Sequence, residues 1–98
     1  MSMFTTRVEL HNSKSEDYTK LHEEMEKEGF WRTIGLEGED ESYHLPTAEY
    51  NYSNKKTELD TADVLDLAKK AAKRTGKKSS ILVTKAAGRR YWDNLEEA

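Results

Sequence analysis

Cysteine is absent from the sequence, and proline occurs only once. The lack of thiols excludes disulfides, thiolate zinc sites and cysteine nucleophiles, and it fits a reducing compartment. No stretch approaches the ~20 consecutive apolar residues of a membrane-spanning helix. The N-terminal residues also lack the basic segment followed by an apolar segment that marks a secretion signal. We therefore expect a cytoplasmic protein without a membrane segment.

Motifs that bind metals or cofactors are also missing. The three histidines, His11, His22 and His44, are too far apart in sequence to form an H-x-x-x-H ligand pair. The glycines at positions 35 and 38 lack the strand-to-helix context of a nucleotide-binding loop. The sequence therefore predicts no metal and no cofactor.

Charge is abundant and unevenly distributed. Hydrophobic residues make up 35% and charged residues 36% of the chain, so we expect one modest core and a single domain over residues 1–98. Residues 1–60 contain seven Lys or Arg against fourteen Asp or Glu, whereas residues 61–98 contain nine against five. Between residues 67 and 92, nine basic residues occur without a single Asp or Glu. This asymmetry favours an anionic partner for the basic half, although a merely solvated surface would have the same composition.

The first half of the chain predicts a strand followed by a helix. Alternation predicts the strand over residues 3–10, with its even-numbered residues facing a core. Ser13 and Glu16 have the spacing of a capping box, with Ser15 as a competing cap, and the helix runs to about Glu28. Gly29 is the expected stop.

Two more strands are expected before the second helix. They cover residues 31–36 and 42–52, and an acidic connection at residues 38–41 joins them. Pro46 marks a change of face within the third strand, because proline cannot donate to a strand ladder.

The stretch from Asp60 to Lys85 predicts a capped amphipathic helix, a glycine stop and a short strand. Asp60 or Thr61 can cap the helix, and Gly76 ends it. One helix face is apolar and formed by Val64, Leu65, Ala68, Ala71 and Ala72. Residues 81–83 read as a fourth strand that is largely buried on both faces.

The elements follow the order βαββαβ. This order predicts an α+β, ferredoxin-like sandwich in which two helices cover one face of a four-stranded antiparallel sheet of order 4-1-3-2. A plain α+β arrangement with a different strand order is the alternative. The assigned faces predict one core that contains Val8, Leu21, Met25, Leu65 and Ile81.

Three segments, DYTKLHEEMEKEGFWRTI, YHLPTAEY and VLDLAKKAAKRTGKKSSILVT, resemble the small bacterial proteins grouped with the GhoS-type antitoxins in pattern and order. The resemblance covers roughly residues 4–92. It implies a ferredoxin-like fold related to the CRISPR-adaptation nucleases. In the best-known branch it also implies an endoribonuclease that cleaves the messenger RNA of its toxin.

The same resemblance implies two candidate catalytic residues on the first helix. Activity in that branch depends on an arginine of this helix, and the equivalent stretch here, residues 18–23, contains none. His22 occupies or neighbours that position and Lys20 lies in the same stretch, and an imidazole could serve as general acid or base at a 2′-hydroxyl. Because His22 also lies on the apolar stripe with Leu21 and Met25, a partly buried structural histidine is the interpretation that the stripe favours.

The basic run supplies eight candidate RNA contacts. Its cations would bind phosphates and its two rings would stack on unpaired bases: Lys73, Arg74, Lys77, Lys78, Arg89, Arg90, Tyr91 and Trp92. Most other aromatic residues are expected to pack in or beside the core. Alternation requires that Phe30 or Trp31 faces outward, so Trp31 is a further candidate ring on an open sheet face.

Two functional classes stay open. The first is an antitoxin-type protein that acts on RNA, with endoribonuclease activity as the implied chemistry. The second is a non-enzymatic protein-binding module, toxin-neutralising or related to phage defence, that docks through its acidic half. A homodimer could form through a strand edge or through the open sheet face, and the aromatic residues of the second and third strands favour the sheet face.

Overall fold

The computed structural model describes residues 2–35, 41–54, 59–88 and 90–98. Two helices and five strands lie within these residues. Their order is β1 (Ser2–Leu10), α1 (Ser15–Lys27), β2 (Thr33–Gly35), β3 (Ser42–His44), β4 (Glu49–Asn54), α2 (Thr61–Lys73) and β5 (Ser79–Lys85). The architecture is α+β.

The strands form two sheets. β1 is the central strand of a three-stranded antiparallel sheet of order β4-β1-β5, and β2 pairs with β3 in a separate two-stranded sheet. One bridge, between Trp31 and Asn51, links the chain before β2 to the side of β4 that faces away from β1. The described residues therefore do not form the single four-stranded sheet that the sequence predicts.

The predicted third strand, residues 42–52, is divided into β3 and β4. Ala48 has a φ of +69°, which interrupts extended backbone, and the Glu49 N–H donates to the Pro46 carbonyl across the turn. The Ala48 carbonyl accepts from the Val8 N–H, so the turn is fixed against β1. Of the predicted acidic connection at residues 38–41, all but Glu41 lies outside the described residues.

Both helices end near the predicted residues, but the cap of α1 differs from the expected one. Its N-cap is Lys14, whose backbone N–H donates to the Asp17 carboxylate at 2.8 Å, instead of Ser13 or Ser15. The helix stops at Gly29, which has a φ of +94°, and a Cβ there would lie 3.2 Å from the Tyr52 ring. Glycine is thus required at this stop for both conformation and space.

α2 begins with a reciprocal cap. The Asp63 N–H donates to the Asp60 carboxylate at 2.9 Å, and the Asp60 N–H donates back to the Asp63 carboxylate at 3.0 Å. Gly76, with a φ of +78°, turns the chain toward β5 as predicted. Asp60 is therefore confirmed as the cap.

The hydrophobic core lies between the two helices and one face of the three-stranded sheet. The largest fully buried side chains are those of Tyr50, Phe4, Phe30, Leu21, Met25, Val8 and Val64. Leu65 does not belong to this cluster, so its predicted place in the core is wrong, and Leu67 packs against the cluster instead. β5 is covered on one face only, because Leu82 is 66% exposed while Ile81 and Val83 pack on the core.

Candidate nucleic-acid interface

A basic cleft runs along the side of β5 that faces away from β1. It has a volume of about 510 Å³ and lies between α2 and β5. Four lysines line it together with two apolar residues and a serine: Lys69, Lys73, Lys77, Lys78, Leu65, Ile81 and Ser79. We call this feature the lysine cleft.

The local fold explains why these lysines converge. Lys69 and Lys73 are four residues apart and therefore lie on one face of α2. The turn at Gly76 then returns the chain, so that Lys77 and Lys78 come directly before β5. The Thr75 hydroxyl braces this turn, because it donates to the Ala72 carbonyl at 2.6 Å and accepts from the Lys77 N–H at 3.2 Å.

The cleft carries an excess of positive charge. Lys77 has a weak ion pair, with 3.9 Å between its Nζ and the Asp17 carboxylate. Among the described residues, no carboxylate forms an ion pair with Lys69, Lys73 or Lys78. These three ammonium groups are therefore available to an anion from solution.

Arg74 does not join the lysine cleft. Its Nε lies 2.7 Å from the Glu24 carboxylate, and its Nη2 lies 2.7 Å from the Glu28 carboxylate. Hydrogen bonds donated by Lys27 and Arg74 lower the pKa of the Glu24 carboxyl group, and the hydrogen bonds that Arg74 donates to Glu28 and Glu24 raise the pKa of Arg74. Arg74 thus ties α2 to α1, and its charge is taken up within the protein.

Three of the remaining predicted RNA contacts, Arg90, Tyr91 and Trp92, lie on the other side of the sheet. Arg90 is half-buried against the sheet face that the helices leave open. Its Nη1 donates to the Thr5 hydroxyl at 3.0 Å and its Nη2 to the Asn51 side-chain oxygen at 2.7 Å. Tyr91 is 80% exposed, whereas Trp92 packs on Tyr43 with the ring centroids 5.6 Å apart. Arg89 lies outside the described residues.

These C-terminal residues enclose a second cleft of about 390 Å³, which we call the open-face cleft. Its walls are largely apolar and aromatic, formed by Ile34, Leu45, Pro46, Tyr91, Trp92 and Leu95. Arg90, Glu49 and Asp93 supply its charges and Thr5 its hydroxyl. The structure therefore separates the predicted contacts into a lysine group, with Lys73, Lys77 and Lys78, and an open-face group.

His22 is fixed by a partner in the core. Its Nδ1 lies 2.6 Å from the hydroxyl oxygen of Tyr50, a fully buried residue of β4. Burial lowers the pKa of His22, Arg32 lowers it further, and burial raises the pKa of Tyr50. A neutral imidazole that carries its proton on Nε2 accepts a hydrogen bond from the tyrosine hydroxyl in this arrangement.

The two catalytic candidates do not converge. Lys20 is exposed and lies two residues from His22 on α1, so the two side chains leave the helix on different faces. His22 packs over β4, whereas the lysine cleft follows β5, and β1 lies between these strands. The lysine cleft and the imidazole therefore lie at opposite sides of the three-stranded sheet.

Lys69 and Leu65 belong to the lysine cleft but were not among the predicted contacts. The spacing of Lys69 and Lys73 was the available signal, since residues four apart share a helix face.

Within the described residues, no three His, Asp or Glu side chains form a group that could hold a metal ion. Neither described helix has the length and apolar character needed to cross a membrane.

Comparisons of the chain with protein-family models, curated proteins and solved structures found no match. The resemblance to the GhoS-type antitoxins therefore stays a prediction that rests on the sequence pattern.

Proposed function

We propose that this protein binds single-stranded RNA through the lysine cleft. The observation that carries the proposal is the convergence of four lysines, three of them without a carboxylate partner among the described residues, along one edge of the sheet. Lysine ammonium groups bind phosphates as point charges without reading sequence. Leu65 and Ile81 give the cleft an apolar floor, which sugars and bases can contact.

The distribution of charge within the protein supports this proposal despite a net charge of −3. Two carboxylates close to the basic region, Glu24 and Glu28, are paired with Arg74 and Lys27. Among the described residues, Asp17 is the carboxylate that pairs with a lysine of the cleft, so the cleft keeps an excess of positive charge. The resemblance to RNA-acting antitoxins favours RNA over DNA as the polyanion.

The ferredoxin-like plan is part of the same proposal. The order β4-β1-β5 and the bridge of Trp31 to the free side of β4 support a layout in which the chain before β2 takes the fourth strand position.

Endoribonuclease activity at His22 is a separate hypothesis. Incubation of labelled RNA with the parent protein and with His22→Ala tests it, and loss of cleavage only in the variant is the result that would support it.

The binding proposal is tested with two charge-matched double variants. Lys73→Gln with Lys78→Gln removes two charges from the lysine cleft, and Lys14→Gln with Lys70→Gln removes two exposed charges elsewhere. An exposed ion pair contributes roughly 0.2–1 kcal/mol, so the cleft variant should bind a short oligouridylate about 2- to 30-fold more weakly. The control variant should bind like the parent.

The competing function, a protein-binding module that docks through the acidic half, makes the opposite prediction. It would be favoured if the parent failed to bind RNA or the equivalent DNA at low salt. Equal losses in the two double variants would show that the net charge, and not the cleft, determines binding.

A further inference from the structure

The open face of the sheet carries an arginine with an unusual set of partners. Every hydrogen bond that Arg90 makes within the described residues goes to a neutral acceptor: the Thr5 hydroxyl, the Asn51 side-chain oxygen and, at 3.5 Å, the Phe4 carbonyl. Within the described residues, no carboxylate forms an ion pair with the Arg90 guanidinium group, and the Nε of Arg90 makes no hydrogen bond. A partly desolvated cation without a counter-ion attracts an anion.

Two exposed aromatic residues, Trp31 and Tyr91, are connected to this arginine through the sheet and the chain. Trp31 and Asn51 are bridge partners, with backbone hydrogen bonds of 2.8 and 2.7 Å, and opposite residues project from the same sheet face. Because Asn51 binds Arg90 on the open face, Trp31 also belongs to that face, where it is 53% exposed. Tyr91 directly follows Arg90 and is 80% exposed.

We infer that the open face is a second RNA subsite, in which Arg90 holds one phosphate and the rings of Trp31 and Tyr91 stack on the adjacent unpaired bases. The inference rests on the proposed RNA-binding function and adds what the lining of the lysine cleft lacks, namely aromatic rings on which bases can stack. Arginine suits this place because its planar fork can bind phosphate while some of its donors bind the protein. Stacking is tolerant of sequence, since every base has a π-face.

The two subsites can serve one strand. Three strand spacings separate the position of Trp31 from β5, which corresponds to about 14 Å. An extended strand that leaves the lysine cleft over the edge of β5 can therefore reach the open face within a few nucleotides. Glu49 and Asp93 also line the open-face cleft, and their charge weakens the attraction of a phosphate there.

The test compares a short oligouridylate with an abasic strand of the same length and charge. The parent should bind the oligouridylate more tightly than the abasic strand, by about 5- to 150-fold for each base that stacks. Trp31→Ala and Tyr91→Ala should each reduce this ratio, whereas Trp31→Phe, which keeps a stacking ring, should retain most of it. Leu82→Ala, at a position on the same face that is 66% exposed, should leave the ratio unchanged.

Charge variants on the open face provide a second readout. Glu49→Gln should strengthen binding of both strands, because it removes a negative charge from the cleft. Equal affinity for the two strands, with the effect of the lysine variants intact, would overturn this inference and leave the proposed function standing. Absence of RNA binding by the parent would overturn both.

Discussion

Thr6 is the residue with the least favourable surroundings in the core. Its side chain is fully buried between its cross-strand partners Tyr50 and Val83, and its hydroxyl has no hydrogen-bond partner among the described residues. A buried hydroxyl without a partner costs about 1–3 kcal/mol. Nothing in the surrounding packing explains why a polar side chain occupies this position.

We therefore predict that Thr6→Val stabilises the fold by about 1–3 kcal/mol, since valine replaces the hydroxyl with a methyl group of similar shape. Urea denaturation of parent and variant measures the difference. A lower free energy of unfolding for the variant would show that the hydroxyl has a partner in solution.

The pair of His22 and Tyr50 makes a prediction about pH. The folded pKa of His22 lies below its ordinary value of 6.5, because burial and the charge of Arg32 disfavour the imidazolium. Its contribution to stability is therefore complete above pH 6.5 and is lost as the pH falls from 6.5 toward the folded pKa. Removal of the arginine charge in Arg32→Gln should raise the pKa of His22, as an NMR titration of the ring can measure. A His22 ring that titrates at or above 6.5 in the parent would contradict this account.

At the scale of elements, the sequence predicts those features that depend on neighbouring residues. The cap at Asp60, the stops at Gly29 and Gly76 and the inward face of β1 follow from local spacing, and the structure confirms them. Pro46 signals an irregularity within the predicted third strand, but the complete break between β3 and β4 also depends on the positive φ of Ala48, which alanine does not signal.

The candidate site was less predictable, because its geometry depends on distant residues. Arg74 resembles its lysine neighbours in sequence, but its carboxylate partners lie on the other helix, 46 and 50 residues away. Arg90 is likewise held by Thr5 and Asn51, which follow from the strand register and not from any local pattern. Outward placement of Trp31, in contrast, follows from simple alternation with the buried Phe30.

The different positions of Leu21 on α1 and Leu65 on α2 predict different losses of stability when each is replaced by alanine. Leu21 is fully buried, whereas Leu65 lines the lysine cleft. Leu21→Ala should cost about 2–5 kcal/mol of unfolding free energy, because it leaves a cavity. Leu65→Ala should cost far less, since solvent already reaches its site. Comparable losses in urea denaturation would place Leu65 in the core after all.

At the scale of the whole molecule, the acidic first part of the sequence and its basic second part do not form two separate surfaces. The lysine cleft collects one portion of the basic run, Arg74 neutralises carboxylates of α1, and Arg90 lies on the opposite side of the sheet. The predicted homodimer through the open sheet face stays a prediction, and the C-terminal segment occupies part of that face. Among the described residues, the lysine cleft is therefore the cationic surface, whereas the open-face cleft combines one arginine with two carboxylates, Glu49 and Asp93.

The salt dependence of RNA binding tests the central claim most directly. If the four lysines of the cleft each contact one phosphate of a single strand, they should contribute about −3 to the slope of the logarithm of the affinity against the logarithm of the salt concentration. The slope should become less steep by about 1.5 in the double variant Lys73→Gln with Lys78→Gln and should stay unchanged in Lys14→Gln with Lys70→Gln. Equal slopes for the two double variants would contradict the assignment of phosphate binding to the lysine cleft.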